Sequence, residues 1–222
     1  MNNDSSTCAK SPDYYRHVRQ EMLPFFPTKF SRVLDIRCGS GRFGELLKDS
    51  FSGAEIWGIE PMAEAHAAAS QVLDRAVLGY LDISLDLPEN HFDVIVFNDS
   101  LEHFPAHMPA LELAFRLLKP SCAIVGSIPN IRYWPQVQQY LFEGDWRYES
   151  AGVMDQTHLR FFTRKIILRY FASAGLVIGE IGGINACWLS WKFRLLRALM
   201  PQMGDMPFQQ FALRAVKPLA GQ

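Results

Sequence analysis

The sequence predicts an α/β fold: a seven-stranded, mostly parallel sheet with helices on both faces. Three observations carry this. Short apolar runs suited to strands alternate with helical patterns along most of the chain. The stretch RVLDIRCGSGRFGE, residues 32–45, leads from an apolar run (Val33, Leu34, Ile36) through a glycine turn into helix-forming Glu45, Leu46 and Leu47. At 222 residues, 49% hydrophobic and 20% charged, the chain is long enough for one sizeable core and short for two, so a single domain over 1–222 is expected.

Residues 1–11 are polar and are expected to be disordered, with no apolar core for a secretory signal. Ser11 and Pro12 give a helix start and Pro24 a stop. Tyr14, Val18 and Met22 recur at helical spacing and pack inward; Tyr15, Arg16 and Arg19 lie off that stripe, as a solvated face or as a cover over a ligand. After the glycine turn come strands over 54–60, 75–80, 92–98 and 122–128 and helices over 62–71 and 108–118. Leu111, Ala114, Phe115 and Leu118 follow i, i+3, i+4, i+7, which lays one helix face on the sheet, and Lys119-Pro120-Ser121 ends that helix.

Residues 129–162 form a long insertion rich in aromatic residues, with Gly144 and Gly152 as turn points. Such a stretch is functional or carries its own helices, and it is expected to form an acceptor site or lid. Thr163 is an N-cap for a helix through Ser173, closed by Gly175, and a strand follows over 176–181. Residues 188–200 place Ser190, Arg194 and Arg197 on one helix side and Trp188, Trp191, Leu195, Leu196 and Leu199 opposite, within a helix and linker spanning 186–206. This helix reads as a core, lid or dimer element, with peripheral membrane contact left open should the acceptor be lipid-linked. Residues 208–216 read as the closing strand.

The formal net charge of -1 gives no basic excess that points to nucleic acid. Cys8, Cys38, Cys122 and Cys187 lack paired metal-ligand spacing and read as reduced thiols, and no apolar run approaches a membrane span; a cytoplasmic location is the expectation. His103 and His107 stand four apart, but Pro105 between them opposes a continuous helix, so no metal site is expected.

Gly39-x-Gly41-x-x-Gly44 matches a dinucleotide fingerprint, and Glu60 lies at the distance of a ribose-binding acid. An NAD-dependent enzyme would use the same spacing. Asp35, inside the first strand, adds a further feature: an acid followed by a Gly-x-Gly-x-Gly loop resembles motif I of class I S-adenosylmethionine (SAM) methyltransferases, with Arg37 standing at the first glycine position. That resemblance implies a Rossmann-like fold whose last strand, 208–216, is the antiparallel edge strand, with SAM as cofactor and S-adenosylhomocysteine as product. It further implies that Asp35, Gly39 and Gly41 form the loop around the methionine part, that Glu60 takes the ribose hydroxyls, that Pro61 and Met62 lie against adenine, and that Asp82 accepts from the adenine amino group with Ile83 as an apolar neighbour. Without the resemblance, Asp35 reads equally as a cap on loop N–H groups and Asp82 as a turn aspartate.

FNDSLEHF is similar to motif IV and the following loop of quinone-biosynthesis O-methyltransferases, which places Asn98, Ser100 and His103 in the same crevice. A Tyr-Tyr-Arg helix ahead of motif I (Tyr15, Arg19), Gly144-Asp145-Trp146 and DQTHLRFFT (155–163) resemble glycan-associated SAM methyltransferases. The implied activity is O-methylation of a small molecule or sugar, with His103 and then His158 as the base; His158 reads equally as an anchor of a packed lid. The sequence-level expectations also include a possible homodimer and, as a rival reading raised by Arg37, a methyltransferase-like binding or scaffold protein.

Overall fold

The structure, a computed structural model, describes residues 18–187 and 190–219. Its elements in chain order are β1 (Arg32–Ile36), α1 (Arg42–Ser50), β2 (Glu55–Glu60), α2 (Ala63–Ala69), β3 (Arg75–Leu78), β4 (Phe92–Asn98), α3 (His107–Leu117), β5 (Leu118–Pro129), α4 (Trp134–Glu143), α5 (Arg164–Ser173), β6 (Val177–Ala186), α6 (Trp191–Leu199) and β7 (Phe208–Val216). The seven strands form one sheet in the order β3-β2-β1-β4-β5-β7-β6. β1 to β5 pair in parallel, and β7 runs antiparallel to both β5 and β6.

The central strands are apolar because both faces are covered. Leu34, Ile36, Ile95, Phe97 and Ile124 point into one layer with α3 and α5, which supply Leu111, Ala114, Ile167 and Phe171. Val33, Ile56, Val94, Val96 and Val125 point into the other, against Phe43 and Leu47 of α1 and Met22, Phe25 and Phe26. Period-two alternation within a strand and a 3.6-residue stripe on each helix therefore meet at two core layers. Thr163 caps α5 by accepting from the Ile166 N–H, and Gly175 closes that helix at φ 80°, both as expected.

Three details depart from expectation. β7 is not at the edge: it lies between β5 and β6, leaving β6 as the edge strand. The expected strand over 176–181 was too short: pairing with β7 carries it through Gly182 and Gly183 to Ala186↔Phe208. Pro24 does not stop a helix but lies inside a 3-10 turn, Gln20–Phe25; Tyr14, Tyr15 and Arg16 lie outside the described residues, as do residues 1–11 and Trp188. On α6, read from the sequence as a core, lid or dimer element, Trp191, Leu195 and Leu199 are exposed.

The 129–162 stretch leaves the end of β5 and is fastened at both ends. Asn130 is fully buried and donates to the Asp205 and Phe208 carbonyls, while Ile131 N–H donates to the Phe162 carbonyl. At the far end the Leu159 and Arg160 N–H groups both donate to the Glu102 carbonyl, at 2.9 and 3.1 Å.

Candidate active site

A cavity of about 420 Å³ opens at the carboxyl ends of β1, β2, β4 and β5, where ligands of open α/β sheets bind. Its walls include Asp35, Arg37, Gly39, Glu60, Met62 and Asn98, together with His103 and His158. Nine residues expected at the cofactor or base positions thus share one cavity once Arg19 is added, and Arg19 settles there rather than on a solvated face. Its side chain is 13% exposed and donates to Glu21, Asp99 and Gln210.

The glycine loop divides its labour. Gly39 faces the cavity, whereas a Cβ at Gly41 would come within 2.6 Å of Val72 Cγ2, so Gly41, at φ 81°, serves the turn into α1. Arg37 occupies the left-handed region at φ 60°, the conformation a glycine adopts without strain. Its side chain still reaches the cavity wall. We expect Arg37→Gly to preserve or tighten SAM binding measured by calorimetry; a large loss would show the guanidinium to be a ligand.

Glu60, not Asp35, caps the loop: its carboxylate accepts from the Gly39 N–H and the Met62 N–H, both at 2.9 Å. Asp35 is 2% exposed, and burial together with the nearby Glu60 charge pushes its carboxyl up to about 8. Because this exceeds the unfolded value near 4, the unfolded chain releases the proton first, and stability falls as pH rises from about 4 to about 8. Asp35→Asn lacks this dependence. Urea midpoints at pH 5 and pH 8 should show wild type losing ground to the variant at the higher pH.

The remaining expected positions stand apart. Asp82 is exposed and accepts from the Ser84 N–H at 2.8 Å, the geometry of a turn aspartate, and neither it nor the exposed Ile83 lines the cavity. Pro61, Gly41 and the fully buried Ser100 also lie off its wall, and Tyr15 is outside the described residues.

The base candidates are brought together by the loop that starts at Gly152, whose φ is 88°. Asp155 accepts from Thr157 N–H and Oγ1, at 2.8 and 2.6 Å, and the His158 N–H donates to the Asp155 carbonyl. The fastening to Glu102 then sets His158 beside His103, ring centroids 4.9 Å apart. His103 Nδ1 lies 3.0 Å from the Thr157 carbonyl and His158 Nδ1 3.1 Å from that of Val153. A carbonyl can only accept, so both Nδ1 atoms carry hydrogen, and in the neutral form of each ring the lone pair is on Nε2.

Glu102 completes the cluster. Both carboxyl oxygens are buried without a hydrogen-bond partner, Oε1 lies 3.8 Å from His158 Nε2, and burial drives the carboxyl well above the usual range. One atom from each of Glu102, His103 and His158 falls within 4.8 Å of the others, so the three form a candidate metal-ligating set, assembled by tertiary structure with no spacing in the sequence to announce it. Asn185, Gln209 and Gln210 were also missed. They reach the wall from the β6–β7 hairpin, and only strand pairing brings them there.

A family model described as a methyltransferase domain matches residues 9–181. The chain belongs to the methyltransferase domain family. It has the fold of the class I SAM-dependent methyltransferases, and SAM is the cofactor that this family and fold imply. Among its relatives is the trans-aconitate 2-methyltransferase of Variovorax paradoxus (strain S110), 30% identical over 118 residues, 52% of this chain and 46% of that protein, so the chain spans about half its length. The ubiquinone biosynthesis O-methyltransferase of Aeromonas salmonicida (strain A449) is 26% identical over 174 residues, 74% of this chain and 70% of that one. A solved SAM-dependent methyltransferase from Archaeoglobus fulgidus shares the fold at TM-score 0.62 and 21% identity, covering 89% of this chain and 90% of that one. A structure of the Haloferax volcanii Trm112 methyltransferase activator in complex with a putative methyltransferase aligns at TM-score 0.67 and 17% identity, over 93% and 91% of the two chains.

The cavity suits SAM on its own chemistry. Asn98 Oδ1 and Nδ2 are buried on its wall with no hydrogen-bond partner, an acceptor and two donors ready for a polar ligand, and Met62 is half exposed beside Glu60. When bound, SAM supplies a methyl group already activated by its sulfonium.

Proposed function

We propose that this methyltransferase methylates a hydroxyl oxygen of a small molecule or sugar. The observation that carries the reading is the convergence of His103, His158 and buried Glu102 on the wall of the cavity that also contains Gly39 and Glu60. The name of the ubiquinone-biosynthesis relative, an O-methyltransferase, supports the same acceptor atom.

Glu60 and Asn98 hold the cofactor's polar groups, and Asp35 and Met62 close around it. Gln209 and the side-chain carbonyl oxygen of Asn185 face the acceptor's hydroxyls, while Gln210 is committed to Arg19, Asn185 and Asp99 and steadies that wall; alignment of this kind removes roughly 7–11 kcal/mol of a barrier. The Nε2 lone pair of a histidine takes the hydroxyl proton as the oxygen is methylated. An imidazolium formed at His158 lies 3.8 Å from Glu102 Oε1; burial holds that carboxyl toward its neutral form, and the new positive charge beside it favours its ionisation to a stabilising partner.

Mass-spectrometric identification of co-purified ligand, followed by transfer from tritiated SAM to candidate acceptors, tests the proposal. Label found as an oxygen ether supports it. Label on nitrogen or on a carboxylate, or no transfer to any acceptor despite SAM binding, overturns it, the last outcome favouring a binding or scaffold role. The 4.8 Å convergence favours one further reading, in which the same three side chains hold a divalent cation that acidifies the acceptor. Activity abolished by chelation and restored by manganese or zinc selects that reading over histidine as the base.

A further inference from the structure

Trp191, Leu195 and Leu199 recur every four residues along α6 and are 71%, 57% and 74% exposed. An amphipathic helix of a globular fold turns such a stripe inward. On α6 it is Phe193, on the opposite side, that packs down, its ring 4.1 Å from that of Trp134 at the start of α4. The far end of α4 and the loop after it add exposed Leu141, Phe142, Trp146 and Tyr148.

Topology puts both groups at one end of the molecule. β5 and β6 each run antiparallel to β7 and are therefore parallel to one another, so their carboxyl ends point the same way as the cavity. α4 follows β5 and α6 follows β6. Asn185, near the end of the strand that precedes α6, and Gln209, near the start of the strand that follows it, line the cavity.

Charge says what such a face meets. Between Glu180 and Asp205 the chain carries Lys192, Arg194 and Arg197 and no acid, and Asp205 is itself paired with Arg132 at 2.8 Å. A second protein chain would need only the apolar stripe. Tryptophan and leucine on one side, with basic residues in an acid-free stretch, is the composition of a helix lying in the interface of a bilayer with anionic head groups.

We propose that α6, with the exposed edge of α4 as a second contact, seats the protein on an anionic lipid surface with the mouth of the cavity toward the head groups. The acceptor then reaches the active site from the membrane surface rather than from bulk solution. This surface stands independently of which atom is methylated.

The test is co-sedimentation of the full-length protein with vesicles of phosphatidylcholine alone and of phosphatidylcholine mixed with phosphatidylglycerol. Binding is expected to the mixed vesicles only, and to weaken strongly as salt is raised. Arg194→Glu should lower the partition coefficient at least about fivefold, and Leu195→Asp combined with Leu199→Asp should abolish binding. SAM binding by calorimetry reports that each variant is folded; should the double variant fail this control, Arg194→Glu decides. No binding to the mixed vesicles, equal binding to both kinds, or binding indifferent to Arg194→Glu overturns the proposal. So does a dimer seen by analytical ultracentrifugation that the double variant abolishes without any vesicle binding, an outcome that would assign the stripe to a second copy of the chain.

Discussion

His158→Gln lowers turnover by about 10²–10⁴-fold while leaving SAM affinity nearly unchanged, if His158 is the base. Glutamine keeps an N–H donor but has no basic lone pair, so it preserves packing better than alanine while removing proton transfer. The surroundings favour His158 over His103. It is 8% exposed against a half-buried His103, and Glu102 Oε1 lies 3.8 Å from its Nε2. Glu102→Gln should then reduce turnover as well, and the His158→Gln/Glu102→Gln double variant should lose much less than the product of the two single losses, because both act through one group. Equal turnover by wild type and His158→Gln, with a large loss in His103→Gln, would move the role to His103. Single-turnover methyl transfer at saturating SAM is the measurement, since it isolates chemistry from product release.

Glu60→Ala is expected to weaken SAM binding by about tenfold to a hundredfold, the scale of a lost charge-assisted hydrogen bond or two. The glutamate works on both sides of the cofactor boundary. In the structure it accepts from Gly39 and Met62 N–H groups, which holds the glycine loop against β2, and it is 5% exposed. Removing it orphans two donors at the cavity wall and takes away the acceptor we propose for the ribose hydroxyls. Glu60→Gln retains one acceptor oxygen and should fall between wild type and Glu60→Ala in calorimetry with SAM. An unchanged affinity in Glu60→Ala would place the ribose elsewhere and leave Glu60 a purely structural cap.

The glycine-loop side of the cavity was legible in the sequence because its residues are local. Asp35, Arg37, Gly39, Glu60 and Asn98 sit at strand ends or in the turns after them, and strand ends of a parallel sheet gather at one side whatever the details of the loops. Even there, Asp35 and Glu60 exchanged the capping role, since one-dimensional spacing does not say which of two acids reaches the Gly39 N–H. The acceptor side was legible only in part. His103 and His158 stood out as histidines in suggestive segments, but their meeting depends on two N–H groups finding the Glu102 carbonyl across more than fifty residues. Asn185, Gln209 and Gln210 carried no signal, because they reach the cavity through a hairpin whose first strand was predicted too short. Asp82 shows the converse: the motif reading pointed to adenine, and the local chemistry of an aspartate two residues before a serine produced a turn.

The paired fastenings of the 129–162 stretch make it a cassette. Asn130 and Ile131 secure its entry and the Glu102 carbonyl secures its exit, so the position of His158 is set by the residues next to the exit rather than by the length of chain between the two anchors. Evolution, or an engineer, can therefore lengthen, shorten or replace the aromatic middle of the cassette to suit a new acceptor without retuning the proton-transfer machinery. A single-residue deletion between His158 and Arg160 would do the opposite, keeping the whole recognition surface while turning the imidazole out of register.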